Sequence, residues 1–284
     1  MKAELIRITT KDNIELQGML YEPKKRTKAI IHVHGLIGNF YENSMIDYFA
    51  KQTVSNGCAF MSFNNRGTGI VTDFLRKKKK DIRIGGSLER FEDTVLDIRA
   101  AVDFLSKRGY KQIILQGHSS GCQKITYYKY KTRDKRVTAL IELAPADDVA
   151  VAKMILKDKY EKALKITKNM RKKGQNTKTV PEWMQFYPLF NVRMFLSVAD
   201  PDSSSGRIFD YSGRLKEIKS VKCPVLAIFG SKDKYQSRPA DKLKILKNNV
   251  KNCNTVLIKN ANHSFSNYES RLANLVVKWI KNRI

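Results

Sequence analysis

One stretch decides the fold of this 284-residue chain: Ile113-Ile114-Leu115-Gln116-Gly117-His118-Ser119-Ser120-Gly121. An apolar run meets the pattern G-x-S-x-G, and an amphipathic segment follows it. This layout predicts a strand, a sharp turn and a helix, with the Ser119 hydroxyl lifted clear of the sheet. Gly117 and Gly121 leave room for the strand and the helix to approach closely. Because an ordinary strand-to-helix turn matches the same short pattern, the other parts of a reactive site must be sought elsewhere.

Strands and helices alternate on both sides of this stretch. Residues 3–10 and 13–22 alternate apolar and polar side chains and predict two antiparallel strands, and residues 70–88 look irregular. Further strands are predicted at 28–33, 58–63, 113–117, 137–143, 224–230 and 254–259, and helices at 41–56, 91–105, 119–130, 238–249 and the C-terminus. The alternation predicts an α/β fold with a mostly parallel central sheet flanked by helices.

The alternation stops between residues 147 and 220. No strand candidate occurs there, and residues 148–173 predict one Lys-rich helix. The sequence therefore predicts a core of 1–146 and 221–284 with a helical cap insertion, 147–220, over the carboxyl ends of the strands. Trp183, Phe186 and Phe190 could line a substrate pocket or form the core of the cap, and we expect a mixture of both.

Three candidate catalytic side chains follow predicted strands. Ser119 follows the strand at 113–117, Asp233 follows 224–230 and His263 follows 254–259. The ligand site of such sheets lies beyond the carboxyl ends of the strands, and the order Ser, Asp, His fits a serine nucleophile on a sharp turn. His263 would take and return the Ser119 proton, and Asp233 would orient it. Asp147 and Asp148 are alternative acids, although helix capping explains them equally well.

The choice of His263 follows from elimination among the four histidines. His32 lies within a strand, and His34 belongs to the turn that follows it. His118 precedes Ser119, where we expect its side chain to point away from the serine side chain. His263 lies on a loop that could reach over the serine.

Backbone N–H groups complete the predicted site. The loop His34-Gly35-Leu36-Ile37-Gly38 directly follows a buried strand, and its small residues expose the main chain. We predict that the N–H groups of Leu36 and Ser120 form an oxyanion hole. A plain turn at the end of a strand remains the alternative interpretation of this loop.

The charge of the chain is unusual. Its 54 Lys and Arg residues against 27 Asp and Glu give a net charge of +27, and residues 76–80 are five basic residues in a row. Such a field attracts polyanions. The alternative function is therefore a non-catalytic binding module whose basic surface holds nucleic acid or an acidic partner. No recognised nucleic-acid motif occurs, and a Lys-rich solvated surface explains the charge as well. The Lys-rich cap also indicates an anionic substrate or an anionic surface as a binding partner.

Other features bear on the cofactors and the compartment. The four cysteines show no C-x-x-C spacing, so neither a disulfide framework nor a zinc site is predicted, and no metal or organic cofactor is expected. No apolar run approaches the roughly 18 residues of a membrane span. Residues 1–8 alternate like a strand and lack the apolar region of a signal peptide. We therefore expect a cytoplasmic protein.

Four motifs resemble the α/β-hydrolase superfamily over nearly the whole chain outside the cap. They are His34-Gly35-x-x-Gly38, the turn at Ser119, Gly230-x-x-Asp233 and Asn262-His263. The turn 229–233 and the loop 262–265 are similar to those of carboxylesterases and cinnamoyl-esterase-like serine hydrolases. The resemblance implies a serine hydrolase that cleaves a small-molecule carboxylic ester through an acyl-enzyme. Thioester or amide cleavage and acyl transfer stay open.

The sequence departs from the superfamily pattern at two places, and both bear on the subfamily to which it is most similar. An acidic residue usually precedes the Arg-Gly pair of the loop after the fourth strand, but here the residues are Asn65-Arg66-Gly67. A second glycine often follows G-x-S-x-G, but Cys122 stands there. The resulting Gly121-Cys122-Gln123 is similar to siderophore-ester hydrolases.

Overall fold

A twisted eight-stranded sheet forms the centre of the protein in the computed structural model, which describes residues 2–213 and 215–284. The strands are β1 (Ala3–Thr9), β2 (Glu15–Tyr21), β3 (Lys28–Val33), β4 (Cys58–Phe63), β5 (Thr72–Phe74), β6 (Ile82–Ile84), β7 (Gln112–His118), β8 (Val137–Leu143), β9 (Val225–Gly230) and β10 (Cys253–Ile258). The order in the sheet is β1-β2-β4-β3-β7-β8-β9-β10. Strand β2 runs antiparallel to β1 and β4, and the other pairings in this sheet are parallel.

Helices cover both faces of the sheet. They are α1 (Met45–Ser55), α2 (Thr94–Lys107), α3 (Ser120–Thr132), α4 (Asp148–Leu156), α5 (Tyr160–Lys172), α6 (Val192–Ala199), α7 (Lys216–Lys219), α8 (Pro239–Asn249) and α9 (Glu269–Arg283). The crossover from β3 to β4 runs one way along the sheet and the crossover from β4 to β7 runs the other way. Right-handed crossovers of opposite direction place their helices on opposite faces. Accordingly, α1 packs against α9, and α2 packs against α3.

The sheet has a topological switch point between the adjacent strands β3 and β7. The chain leaves β3 towards β4 on one side, and it leaves β7 towards β8 on the other side. A crevice opens beyond the carboxyl end of such a switch point. The loop at 34–38 and the turn at Ser119 therefore start side by side, because Val33 is paired with Gly117.

The predicted α/β architecture is confirmed, and two local predictions are wrong. Residues 70–88 are not wholly irregular, because β5 and β6 pair there as a short antiparallel hairpin. Residues 148–173 do not form one helix, because the chain bends between α4 and α5 at Lys157, whose φ of 50° lies in the left-handed region. Neither glycine nor proline marks this bend in the sequence.

The segment between β8 and β9 has a hydrophobic cluster of its own. Helices α4, α5 and α6 surround it, and its buried members include Phe190, Phe195 and Met184. A second, larger cluster lies between the sheet and its flanking helices. The later part of the predicted insertion, including Ile208, Phe209 and Ile218, is buried in the larger cluster instead, so residues 147–220 do not pack as one separate unit.

Glu142 on β8 is a carboxyl group inside the main core. Its Oε1 accepts a hydrogen bond from Thr126 Oγ1 at 2.8 Å, and burial raises its pKa to about 8. The folded protein therefore holds a proton that the unfolded chain releases near pH 4.5, so Glu142 makes the unfolding free energy fall as pH rises from about 5 to 8.

The Glu142→Gln variant is expected to lose this part of the pH dependence. Its unfolding free energy should exceed that of the wild type by a few kcal/mol at pH 8.5 and differ less at pH 5.5. Urea unfolding at both pH values measures the difference, with the exposed Glu182→Gln as the matched control. Equal pH dependence of wild type and Glu142→Gln would show that Glu142 is ionised at no cost in the core.

Candidate active site

The turn at Ser119 is strained. The residue has φ 55° and ψ −127°, a conformation that side-chain-bearing residues rarely adopt and that costs about 1–3 kcal/mol. Its N–H donates to the Leu143 carbonyl at 2.9 Å, which fixes the turn on β8. A Cβ on Gly117 would lie 2.5 Å from the backbone of Gly121, and a Cβ on Gly121 would collide with the Val33 carbonyl. Both glycines are therefore required for this approach of β7 and α3.

The loop after β3 lies directly against the serine. A Cβ on Gly35 would come within 3.0 Å of the Ser119 Cβ. Leu36 and Ser120 line the same cavity as Ser119, and within residues 2–213 and 215–284 neither backbone N–H donates to an acceptor. The predicted oxyanion hole therefore stays a prediction that this geometry permits.

His34 holds this loop in shape. Its Nδ1 lies 2.8 Å from the Gly35 carbonyl and must carry the proton, so Nε2 accepts a hydrogen bond from the Asn65 N–H at 3.2 Å. Burial lowers the pKa of His34 to about 3, and the positive charge of Lys124 acts in the same direction. His34 is therefore a neutral structural residue near pH 7.

His263 and Asp233 form a hydrogen-bonded pair at the ends of β10 and β9. His263 Nδ1 lies 2.8 Å from Asp233 Oδ2, and the Asp233 side chain is fully buried. The other carboxylate oxygen accepts a hydrogen bond from the Tyr235 N–H at 2.9 Å, and the Tyr235 ring stands edge-on to the imidazole at 4.7 Å. The ring is thus oriented with Nδ1 towards Asp233, which leaves Nε2 as the nitrogen free to face a substrate or Ser119.

Ser119 and His263 line one cavity of about 640 Å³. Among the described residues, the Ser119 hydroxyl makes no hydrogen bond to His263. Such bonds are commonly long without substrate and tighten in the complex. The structure thus brings Ser119, His263, Leu36 and Ser120 to one cavity, with Asp233 behind the histidine.

Asp147 and Asp148 are not bonded to the histidine. Asp147 caps helix α4 by accepting from the Ala150 N–H at 2.9 Å, and Asp148 accepts from Ser205 Oγ at 3.1 Å. Burial raises the pKa of both carboxyl groups, that of Asp148 to about 7. The geometry therefore favours Asp233 as the partner of His263.

Two expectations about the lining of the cavity need correction. Of the three aromatic residues predicted to line a pocket, Phe186 lines the cavity, whereas Trp183 is 41% exposed on the surface and Phe190 is fully buried in the cluster that α4, α5 and α6 surround. His118 does not point away from the site. It lines the cavity, and its Nε2 lies 3.0 Å from the His263 carbonyl. Burial lowers the pKa of His118 to about 4, so this histidine is neutral near pH 7 and supports the His263 loop.

A buried ion pair beneath the site escaped sequence analysis. Lys124 Nζ lies 2.9 Å from both carboxylate oxygens of Glu89 and 2.9 Å from Asn65 Oδ1. It thereby joins α3, the loop before α2 and the loop after β4, whose Asn65 N–H holds His34. The signal available in the sequence was the helical spacing of Gly121, Lys124 and Tyr128, which places all three on the buried face of α3.

The described residues show neither a metal site nor a membrane-spanning helix. Within residues 2–213 and 215–284, no group of three or more His, Cys, Asp or Glu side chains is placed to hold a metal ion. Over the same residues, no helix combines the length and the apolar character needed to cross a membrane.

Solved structures share this fold over almost the whole chain. Est1E from Butyrivibrio proteoclasticus, solved with ferulic acid bound, superposes with a TM-score of 0.66 at 19% identity, covering 97% of this chain and 98% of Est1E. The esterase Pf2001 from Pyrococcus furiosus superposes with a TM-score of 0.62 at 18% identity, covering 99% of this chain and 91% of Pf2001. The carboxylesterase CesB from Bacillus subtilis superposes with a TM-score of 0.56 at 16% identity, covering 100% of this chain and 92% of CesB.

These similarities confirm the fold that the sequence motifs resemble. The protein has the α/β-hydrolase fold found in carboxylesterase structures. Residues 84–284 match the family described as "Protein of unknown function (DUF1749)", and the chain belongs to that family. A comparison with curated proteins gives no match.

Proposed function

We propose that the protein is a serine hydrolase that cleaves a carboxylic ester through an acyl-enzyme. The observation that carries the proposal is the strained Ser119 on the wall of a cavity that His263 also lines. The names of the structural neighbours, several of them esterases, agree with it. We further propose that residues 147–220 act as a cap that bounds the acyl pocket, since Phe186 and residues of α4 line the cavity.

The proposed reaction has two halves. His263 Nε2 takes the Ser119 proton while Oγ attacks the ester carbonyl, and the N–H groups of Leu36 and Ser120 stabilise the oxyanion. Asp233 stabilises the resulting imidazolium through Nδ1. The imidazolium then protonates the leaving alcohol, and the acyl group remains on Ser119. In the second half His263 deprotonates water, which attacks the acyl-enzyme. The imidazolium then returns the proton to Ser119 Oγ, which releases the carboxylic acid and regenerates free Ser119 and neutral His263.

Covalent labelling tests the nucleophile directly. We expect an alkyl fluorophosphonate to add one phosphonyl group per chain, to lose fluoride, and to abolish hydrolysis of p-nitrophenyl esters in proportion to the label. Tryptic digestion and mass spectrometry should place the adduct on Ser119. A folded protein that takes up no label and hydrolyses no ester would contradict the proposal and would favour a non-catalytic binding module.

A further inference from the structure

The charge on the cavity wall is opposite to the charge of the whole chain. Basic residues outnumber acidic ones by 54 to 27, but Glu42 and Asp148 are the charged side chains among the described residues that line the cavity, apart from its histidines. No described Lys or Arg lines it. This lining contradicts the anionic substrate expected from the Lys-rich cap. Because surface charges are screened within about 8 Å in physiological salt, the lining decides which charge the cavity prefers.

The two carboxyl groups have different surroundings. Glu42 follows the loop after β3 and is exposed, with its backbone N–H held by Asn39 Oδ1 at 2.7 Å. Asp148 begins α4 and is half-buried, and its side chain is bonded to Ser205. No ion pair involves either residue within residues 2–213 and 215–284. Glu42 thus comes from the core of the fold, and Asp148 comes from the proposed cap.

Lys124 is the cation that acts on Asp148, but it does not form an ion pair with it. Its ammonium is bonded to both oxygens of Glu89. Burial, with the neighbouring Asp147 acting in the same direction, raises the pKa of Asp148 to about 7, although Ser205, Gln123 and Lys124 act in the opposite direction.

Aromatic rings add a second feature that favours a cation. Phe186, Tyr187 and Tyr235 line the same cavity as the two carboxyl groups. Tyr187 and Tyr235 interact electrostatically, and burial together with Tyr235 raises the pKa of Tyr187. The ammonium of the adjacent Lys234 lies over the Tyr235 ring at 5.1 Å, so among the described residues Phe186 and Tyr187 are the lining rings without an ammonium neighbour. Aromatic faces combined with carboxylates are the surroundings in which proteins bind alkylammonium groups.

We propose that the cavity selects esters whose acyl part carries an alkylammonium group, held by Asp148, Glu42 and the neighbouring aromatic rings. This assignment rests on the proposed ester hydrolysis and names its substrate class. Asp148 and Glu42 are specificity-determining residues in it and take no part in bond cleavage.

A pair of isosteric esters tests the assignment. The p-nitrophenyl esters of 4-(trimethylammonio)butanoic acid and 5,5-dimethylhexanoic acid differ by the exchange of N⁺ for C at one position. We expect kcat/KM to be about 10- to 100-fold higher for the cationic ester, because the cavity should bind its acyl part more tightly than that of the neutral ester by the same factor. In the Glu42→Gln/Asp148→Asn double variant this ratio should fall towards 1, and in the exposed cap variant Asp158→Asn it should stay at the wild-type value.

Binding to the Ser119→Ala protein separates this assignment from the proposed reaction. The methyl esters of the same two acids can be titrated by calorimetry without turnover, and the cationic ester should bind at least about 10-fold more tightly. Equal or weaker binding of the cation would overturn the assignment, whatever the activity. Turnover of the neutral ester by wild type with no cation preference would overturn it and leave the ester hydrolase standing. Preferred binding of the cation without turnover of either ester would contradict the hydrolase instead.

Discussion

The Ser119→Ala variant is expected to lose about 10⁴- to 10⁶-fold in kcat for p-nitrophenyl esters, with KM changed by less than about threefold. The reason is that alanine removes the proposed nucleophile and leaves the Leu36 and Ser120 N–H groups and the cavity wall in place. Residual hydrolysis above the uncatalysed rate is expected from this oxyanion hole alone. Steady-state kinetics with p-nitrophenyl butanoate measure both constants.

A matched control makes this result specific. Ser237 is exposed and lies outside the cavity lining, so Ser237→Ala should keep wild-type kinetics. Thermal unfolding of Ser119→Ala should match the wild type, since alanine occupies the same strained backbone without a larger side chain. Comparable kcat in Ser119→Ala and wild type would remove the serine from the mechanism, and a large fall in melting temperature would turn the kinetic loss into a folding defect.

The core of the fold was predictable because buried parallel strands have a simple pattern. The predicted bounds of β3, β4 and β8 coincide with those observed, since each is a short apolar run between polar residues. The positions of Ser119, Asp233 and His263 at strand ends were predictable for the same reason, and their catalytic roles stay a proposal. Once the strands are placed, their carboxyl ends are placed too, and few reactive side chains follow them.

The proposed cap and the buried polar residues were harder to predict, for physical reasons. The apolar side chains of Phe186 and Phe190 look alike in the sequence, yet one faces the cavity and the other lies in the cluster that α4, α5 and α6 surround. Which of the two lines the pocket depends on how α4 and α6 pack, and no local pattern specifies that packing. Lys124 and Glu89 lie 35 residues apart, and a lysine in a chain of this charge is usually a surface residue. Only the three-dimensional packing reveals that both are buried.

The Lys124→Met variant is expected to lower the unfolding free energy by about 3–5 kcal/mol, because it leaves the buried Glu89 carboxylate without its partner. Exposed pairs are worth much less, so Arg83→Met, which breaks the exposed Arg83–Asp73 pair, should cost below about 1 kcal/mol. Urea unfolding of the two variants at pH 7 compares the buried pair with the exposed one. Similar costs for both would show that water reaches Glu89.

Removing both charges separates stability from the shape of the site. The Glu89→Leu/Lys124→Met double variant should recover most of the lost unfolding free energy, since an apolar pair of similar volume often replaces a buried ion pair at little cost. It does not restore the hydrogen bond from Lys124 to Asn65 Oδ1, and Asn65 holds His34 in the loop that carries Leu36. If the ion pair shapes the oxyanion hole, the stable double variant should still turn esters over about 10-fold more slowly than wild type. A double variant with both stability and kcat restored would show that the pair only fills space under α3.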